Sequence, residues 1–320
     1  MKPCWIVLMF ALVSASALAD EGPARDATIR IMSWNITGDA FVAEPREFQS
    51  LLRWADPDIV LLDEVSPSAD VHELHAALAN LQPSNDERWY VSVGTSGGRQ
   101  RDVIASRAPQ EALPEFSEMI PYPDADKRSI LARMSDVHRS YSDFSMEYGI
   151  PVNAAIVVID GKRLLAVIVD LQCCGDGPDG WAEYRRQVEA REIRQRIEQV
   201  LERTTVDGLV IAGDFNLVIG MAAAQILNKP YRICSDDLSP AELNRPDSDA
   251  NWTWDGRGMP FPNGRLDFQF YCADSLQMRS GFILDSEGLT PETLQKFGLE
   301  SDTSARTGRH RPLLAEYVWR

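Results

Sequence analysis

The sequence predicts an α+β fold: a four-layer α/β/β/α sandwich of two mixed sheets flanked by helices. Three observations carry this. Short apolar runs with strand character outnumber the helical stretches. The helical stretches are amphipathic, each with one apolar stripe to lay on a sheet. Several apolar runs end abruptly on an acid or an amide, which places polar groups together at strand ends.

The elements follow in order. Thr28 to Trp34 alternates apolar and polar residues and reads as a first strand ending at Asn35. Phe41 to Trp54 has Phe48, Leu51 and Leu52 at helical spacing, and Asp56-Pro57-Asp58 stops it, because a residue before proline is pushed out of the α region. Ile59 to Leu62 is a continuous apolar strand ending on Asp63 and Glu64. Ser68 or Asp70 can cap a helix with the stripe Val71, Leu74, Leu78 and Leu81. His72 and His75 on that helix read as surface groups, since no further ligand completes a metal set. Trp89 to Val93 and Val103 to Ala105 are strands, and residues 110–145 read as a long loop with short elements.

Ala154 to Ile159 and Arg163 to Asp170 form a hairpin across Asp160-Gly161. Asp179 to Glu202 is the longest helix, with Val188, Ile193, Ile197 and Leu201 inward and many of its charges outward. Gly208 to Ala212 is a buried strand broken at Gly213 and followed by Asp214 and Asn216. A short helix near Met221, a strand from Leu266 to Tyr271 and a last strand from Pro312 to Trp319 complete the chain.

Residues 1–19 have the features of a signal peptide: Lys2, an apolar core from Ile6 to Val13, and the small-residue site Ala17-Leu18-Ala19. Cleavage near Ala19 is expected, giving an exported, periplasmic or extracellular chain. Its apolar core is too short for a membrane span. Residues 20–320 carry no Pro/Gly/Ser-rich linker or repeat and read as a single domain, expected to be a monomer. The net charge of −16 makes high-affinity non-specific DNA binding an unfavourable function, since such a chain repels a phosphate backbone. Phosphate esters stay accessible if a divalent cation stands between them and the carboxylates. For Cys173, Cys174, Cys234 and Cys272, a bridge from one of the adjacent pair to Cys234 or Cys272 is the expected disulfide.

Asn35, Glu64, Asp170, Asp214 and Asn216 follow apolar strands, and His310 precedes one. Oxygen ligands of this kind suit a hard ion such as Mg²⁺. An Asp–Asn pair two residues apart in extended chain presents both side chains on one face, where it can orient and deprotonate water.

The ordered motifs Ser33-Trp34-Asn35, Pro57 through Glu64-Val65, Gly213-Asp214-Phe215-Asn216, Arg265-Leu266-Asp267-Phe268 and His310-Arg311-Pro312-Leu313 resemble the endonuclease/exonuclease/phosphatase superfamily. The resemblance implies a helix-flanked β-sandwich and Mg²⁺ (or Mn²⁺) held mainly by Glu64, with Asn35 near the metal or the phosphate. It makes Asp214 the group that activates water and Asn216 its orienting partner. It gives His310 the developing charge on phosphorus to stabilise and Asp267 the imidazole to orient.

Two positions depart from the family's pattern. Asp170 stands where a His is usual, and Arg309 stands where an Asp usually precedes the last His. A rearranged site would use Asp170 as a further metal ligand and Arg309 or Arg311 as phosphate clamps. The alternative is a degenerate member acting as a secreted binding module. As an enzyme, the chain is expected to hydrolyse a phosphodiester or phosphomonoester, with lipid head groups, nucleotides and sugar phosphates as candidate substrates.

Overall fold

The computed structural model describes residues 28–320 except 80, 82–87, 99, 136–137, 139–144 and 176. The signal peptide expected at residues 1–19 lies outside the described residues.

Twelve strands among the described residues form two six-stranded sheets. The first contains β1 (Thr28–Asn35), β2 (Ile59–Val65), β3 (Tyr90–Val93), β4 (Arg101–Ser106), β11 (Leu276–Ile283) and β12 (Leu313–Trp319), in the order β11-β12-β1-β2-β4-β3. The second contains β5 (Gln110–Ala112), β6 (Val152–Ile159), β7 (Lys162–Asp170), β8 (Gly208–Asp214), β9 (Ser239–Pro240) and β10 (Asp267–Tyr271), in the order β5-β6-β7-β8-β10-β9. Each sheet is mixed: β1 runs parallel to β2 and β7 parallel to β8, while the other pairs are antiparallel.

Strand alternation sorts the side chains into layers. Ile29, Ile31, Ile59, Leu61 and Ile104 of the first sheet meet Ala166, Ile168, Val210 and Ala212 of the second, forming the core between the sheets. The opposite face of the first sheet, with Met32, Trp34, Val60 and Leu62, packs on α1 (Ala40–Ala43), α2 (Pro45–Ala55) and α3 (Val71–Ala79). The opposite face of the second sheet, with Val167, Val169, Leu209 and Ile211, packs on α4 (Asp124–Arg133), α5 (Trp181–Arg203) and α6 (Ala222–Leu227). This is the four-layer sandwich the sequence predicts. Two further helices, α7 (Pro291–Phe297) and α8 (Thr303–Thr307), lie between β11 and β12. The α7 helix starts at a Thr290 cap accepting from Thr293 N and stops at the left-handed Gly298. No helix among the described residues is long and apolar enough to cross a membrane.

On α5 many charges point outward as expected, but Glu183, Arg185, Arg186 and Glu189 are buried. They form the pairs Arg185–Glu189 and Arg186–Glu183, each at 2.9 Å, and Glu189 also accepts from Tyr122 Oη at 2.5 Å. A buried charge is tolerable only when it is paired and hydrogen-bonded, and these are. One sequence expectation changes: the disulfide joins Cys234 to Cys272, with Cα atoms 5.7 Å apart, so neither bridges to the 173–174 pair. Cys234 lies in the turn beyond α6 and Cys272 directly follows β10, whereas Cys173 and Cys174 are exposed in the loop after β7.

Candidate active site

The same alternation that builds the inter-sheet core also builds the site. Asn35 has the parity of Ile29 and Ile31, Asp63 that of Ile59 and Leu61, and Asp102 that of Ile104. On the second sheet Asp170 follows Leu164, Ala166 and Ile168, and Asp214 follows Val210 and Ala212. Cross-strand register brings these positions together, with Asn35 opposite Asp63, Asp170 opposite Asp214, and Asp267 opposite Asp214. At one end of the sandwich the inward-facing apolar layer is replaced by acids and amides.

Two backbone irregularities aim the key side chains. Glu64 sits at φ 54° where the β2–β4 register shifts between Leu62 and Val65. As the extra residue of this bulge it leaves the alternation, and Val65 rejoins Val60 and Leu62 on the helix-facing side. Gly213, at φ 128°, precedes Asp214, and a Cβ there would lie 2.1 Å from the Val169 carbonyl oxygen. Only glycine lets β8 approach β7 so closely.

Asp214 is the hub. Its backbone N–H donates to Asp63 Oδ2 at 2.8 Å, its Oδ1 accepts from Asn216 N at 2.9 Å, and its Oδ2 accepts from Asn35 Nδ2 at 3.2 Å. The Asn216 amide donates to the Leu171 carbonyl at 2.8 Å, tying the strand ends together. His310 Nδ1 lies 2.9 Å from Asp267 Oδ2, and Nε2 lies 3.8 Å from Asp214 Oδ2. Trp34 Nε1 holds the His310 carbonyl at 3.3 Å.

Charge crowding sets the protonation states. Burial, then the Asp267 charge, pushes Asp214 up to about 7, against the opposing pull of His310. Burial alone would lower His310, but the Asp267 charge and hydrogen bond, with Asp214 beside it, raise it to about 9. Burial and the neighbouring acids also raise Asp63, Asp102 and Asp170 well above the carboxylate range.

The donor set fits a hard divalent cation. One oxygen from each of Glu64, Asp170 and Asp214 lies within 4.8 Å of the others, as do ligand atoms of Asp214, Asp267 and His310. The all-oxygen group suits Mg²⁺ or Mn²⁺ better, because His310 and Asp267 already satisfy each other. Among the described residues no hydrogen-bond donor reaches the Asp170 carboxylate, which is 5 % exposed. The Thr37 hydroxyl lies 2.7 Å from Asn35 Oδ1 and 2.6 Å from Glu64 Oε2, one proton between two acceptors. Asp102 has both oxygens buried without a partner, and Asp63 has one. A cation between Glu64, Asp170 and Asp214 would supply the partner that the Asp170 carboxylate lacks.

Glu64, Asp170, Asp214, Asn216, Asn35, Asp267 and His310 thus converge. The two arginines do not join them. Arg311 is buried, its Nε on Asp285 and its Nη2 on Asp255, both at 2.9 Å, over the Trp252 ring. This holds the chain entering β12 and leaves no guanidinium edge for a phosphate, which corrects the expected clamp. Arg309 is exposed and donates Nη1 to the carbonyls of Asp255 and Arg257. Asp102 and Thr37 were not among the candidates read from sequence. The parity of Asp102 with Ile104 was the available signal for the first, and nothing local marked the second.

A helix-flanked double sheet with clustered acids and one imidazole at its strand ends is the architecture of a metal-dependent phosphoesterase or nuclease. The chain belongs to the Endonuclease/Exonuclease/phosphatase family, whose sequence profile matches residues 32–290. Similar solved structures include D. rerio TDP2 complexed with a single-strand DNA product, 18% identical, covering 92% of this chain and 100% of that one at TM-score 0.54. The human Nocturnin catalytic domain with bound sulfate is 16% identical, covering 92% and 96% at TM-score 0.54. An endonuclease/exonuclease/phosphatase from Bacteroides vulgatus is 16% identical, covering 92% and 99% at TM-score 0.53. No curated protein sequence matches the chain.

Proposed function

We propose that this protein is an exported, divalent-metal-dependent hydrolase of phosphate esters. The observation that carries the reading is that Asp214 belongs to both ligand-like groups, facing Glu64 and Asp170 on one side and the Asp267–His310 pair on the other. Water and an electrophilic phosphorus atom would meet at that carboxylate. Glu64 and Asp170 would hold Mg²⁺ or Mn²⁺, with Asn35 beside it. A bound cation of this kind supplies charge neutralisation to the phosphoryl oxygens.

The chain's own residues supply the rest. The Asp214 carboxylate takes the proton of the attacking water. Asn216 fixes Asp214 through its backbone N–H, while its amide anchors the turn to Leu171. His310, protonated and oriented by Asp267, presents Nε2–H to the charge that develops on the phosphoryl oxygens. Arg309, exposed and carried by the residue next to His310, remains the proposed phosphate-binding group.

A small or membrane-presented phosphate ester fits the charge of −16 better than a long nucleic acid. Candidates are lipid head groups, nucleotides and sugar phosphates. The test is hydrolysis of bis(p-nitrophenyl) phosphate, p-nitrophenyl phosphate, nucleotides and sphingomyelin with Mg²⁺, Mn²⁺ or chelator, wild type against Asp214→Asn. Metal-dependent turnover lost in the variant supports the reading. No turnover on any substrate, with no metal binding by calorimetry, would replace it with the secreted binding module.

A further inference from the structure

The loop leaving β7 carries a feature that phosphoester hydrolysis does not use. Cys173 and Cys174 are both exposed, and their sulfurs lie 3.0 Å apart. Neighbouring cysteines normally point apart in extended chain. Here Cys174 adopts φ 66°, a left-handed conformation that a non-glycine residue rarely takes, and the two side chains turn to the same side. The dipeptide is held there by a buried cation. Arg186 Nη1 donates to the carbonyls of Gln172 at 2.7 Å and Cys174 at 2.8 Å, while the pair Arg186–Glu183 fixes the guanidinium.

We propose that Cys173 and Cys174 form a vicinal dithiol site that reacts with small-molecule disulfides and closes to a ring disulfide. A Cys174 thiolate attacks one sulfur of the disulfide RSSR, forming a mixed disulfide and releasing RS⁻. The Cys173 sulfur then attacks the Cys174 sulfur, forming the Cys173–Cys174 bond and expelling the second RS⁻. The two cysteine protons leave with the two RSH products, and the dithiol's two electrons reduce RSSR. The sulfurs must close from 3.0 Å to about 2.05 Å, the ordinary disulfide length. The chemistry of the thiols agrees: the hydrogen bond with Cys173 and the nearby Arg186 bring Cys174 down to about 6, whereas Cys173 is raised. The Cys234–Cys272 disulfide shows that oxidised sulfur is compatible with the folded chain.

The site lies two residues beyond Leu171, whose carbonyl receives the Asn216 amide. The test does not depend on hydrolase activity. The folded chain is incubated with oxidised glutathione, labelled with N-ethylmaleimide, and digested, and the tryptic peptide spanning residues 164–185 is weighed. A peptide lighter by two hydrogens, without label or glutathione, and labelled twice after dithiothreitol, is the expected result. Cys173→Ser should stop at one glutathione on Cys174. Phenylarsine oxide, which bridges only paired thiols, should bind once per wild-type chain whose Cys234–Cys272 disulfide is intact and not to Cys173→Ser. Two thiols still labelled after glutathione disulfide, a persisting glutathione adduct on the wild type, or no arsenical uptake would each overturn the proposal.

Discussion

His310 points Nδ1 at Asp267, 2.9 Å away, and Nε2 toward Asp214, 3.8 Å away, so one ring stands between two acids with different tasks. The near contact fixes the ring and its charge, and the far gap leaves Nε2–H free for a substrate oxygen. Replacing Asp267 by Asn keeps the shape and removes the charge. The imidazolium then loses its main stabiliser and His310 falls from about 9, while Asp214, raised in part by Asp267, falls from about 7. Turnover by Asp267→Asn should drop about 10²-fold, a typical cost of impaired acid–base catalysis. The limb of the kcat/KM pH profile that reports His310 should move to lower pH. An unshifted profile would mean that Asp267 only packs against the ring.

The same pair makes stability depend on pH in a defined window. A free histidine releases its proton near 6.5, but folded His310 holds it to about 9. Its stabilising contribution is therefore complete below about 6.5 and is lost as pH rises through 9. Asp214 titrates lower: its raised pKa costs stability between about 4 and 7, and nothing more changes above that. In chelator, the advantage of wild type over His310→Gln should shrink by on the order of 3 kcal/mol from pH 6.5 to 9.5. Denaturant titrations at both pH values measure it, and a constant difference would contradict the assigned charge state.

Asp170 makes a sharper case because metal reverses its effect. Without a cation it is a buried carboxylate with no donor among the described residues, facing Glu64, Asp63 and Asp214. Asp170→Asn removes that repulsion and the cost of burying a charge, so the metal-free variant should melt several degrees above wild type. In millimolar Mg²⁺ the order should invert. Wild type gains stability as the logarithm of one plus the Mg²⁺ concentration over Kd, and the variant, one carboxylate short and with a higher Kd, gains little. Equal Mg²⁺ stabilisation of both would exclude Asp170 as a ligand.

How much of this was legible in the chain follows from which signals are local. Apolar runs and their parity identified the central strands, and Asp214, Asn216, Glu64, Asp170, Asp267 and His310 all stand at strand ends visible as breaks in those runs. Asp102 was hidden because a single acid at the start of a short strand looks like a solvated terminus, although it is fully buried. The bulge at Glu64 depends on pairing with β4, thirty-odd positions away, which no local pattern encodes. β11 gives no apolar run in the sequence because most of its residues are part or fully exposed, as on a sheet edge. α4 buries only Ile130, too little to mark an apolar stripe. Arg311 is a different case: an arginine beside a site histidine suggests a phosphate clamp, but its partners Asp255 and Asp285 come from loops far off in sequence.

The two arginines can be separated by experiment. Arg311 is 1 % exposed, with its guanidinium engaged by two carboxylates and by the Gly308 carbonyl at 2.8 Å. Arg311→Ala leaves Asp285 buried without that partner. Breaking a buried pair from one side costs about 3–5 kcal/mol, so the variant should show a large loss in urea midpoint. Arg309 touches only backbone carbonyls from an exposed position, and its removal should change stability by less than about 0.5 kcal/mol. If Arg309 binds the substrate phosphate, Arg309→Ala should raise KM about tenfold with kcat little changed, the signature of lost uniform binding. Unchanged KM in Arg309→Ala, or a fully stable Arg311→Ala, would show that the roles assigned to the two guanidinium groups are wrong.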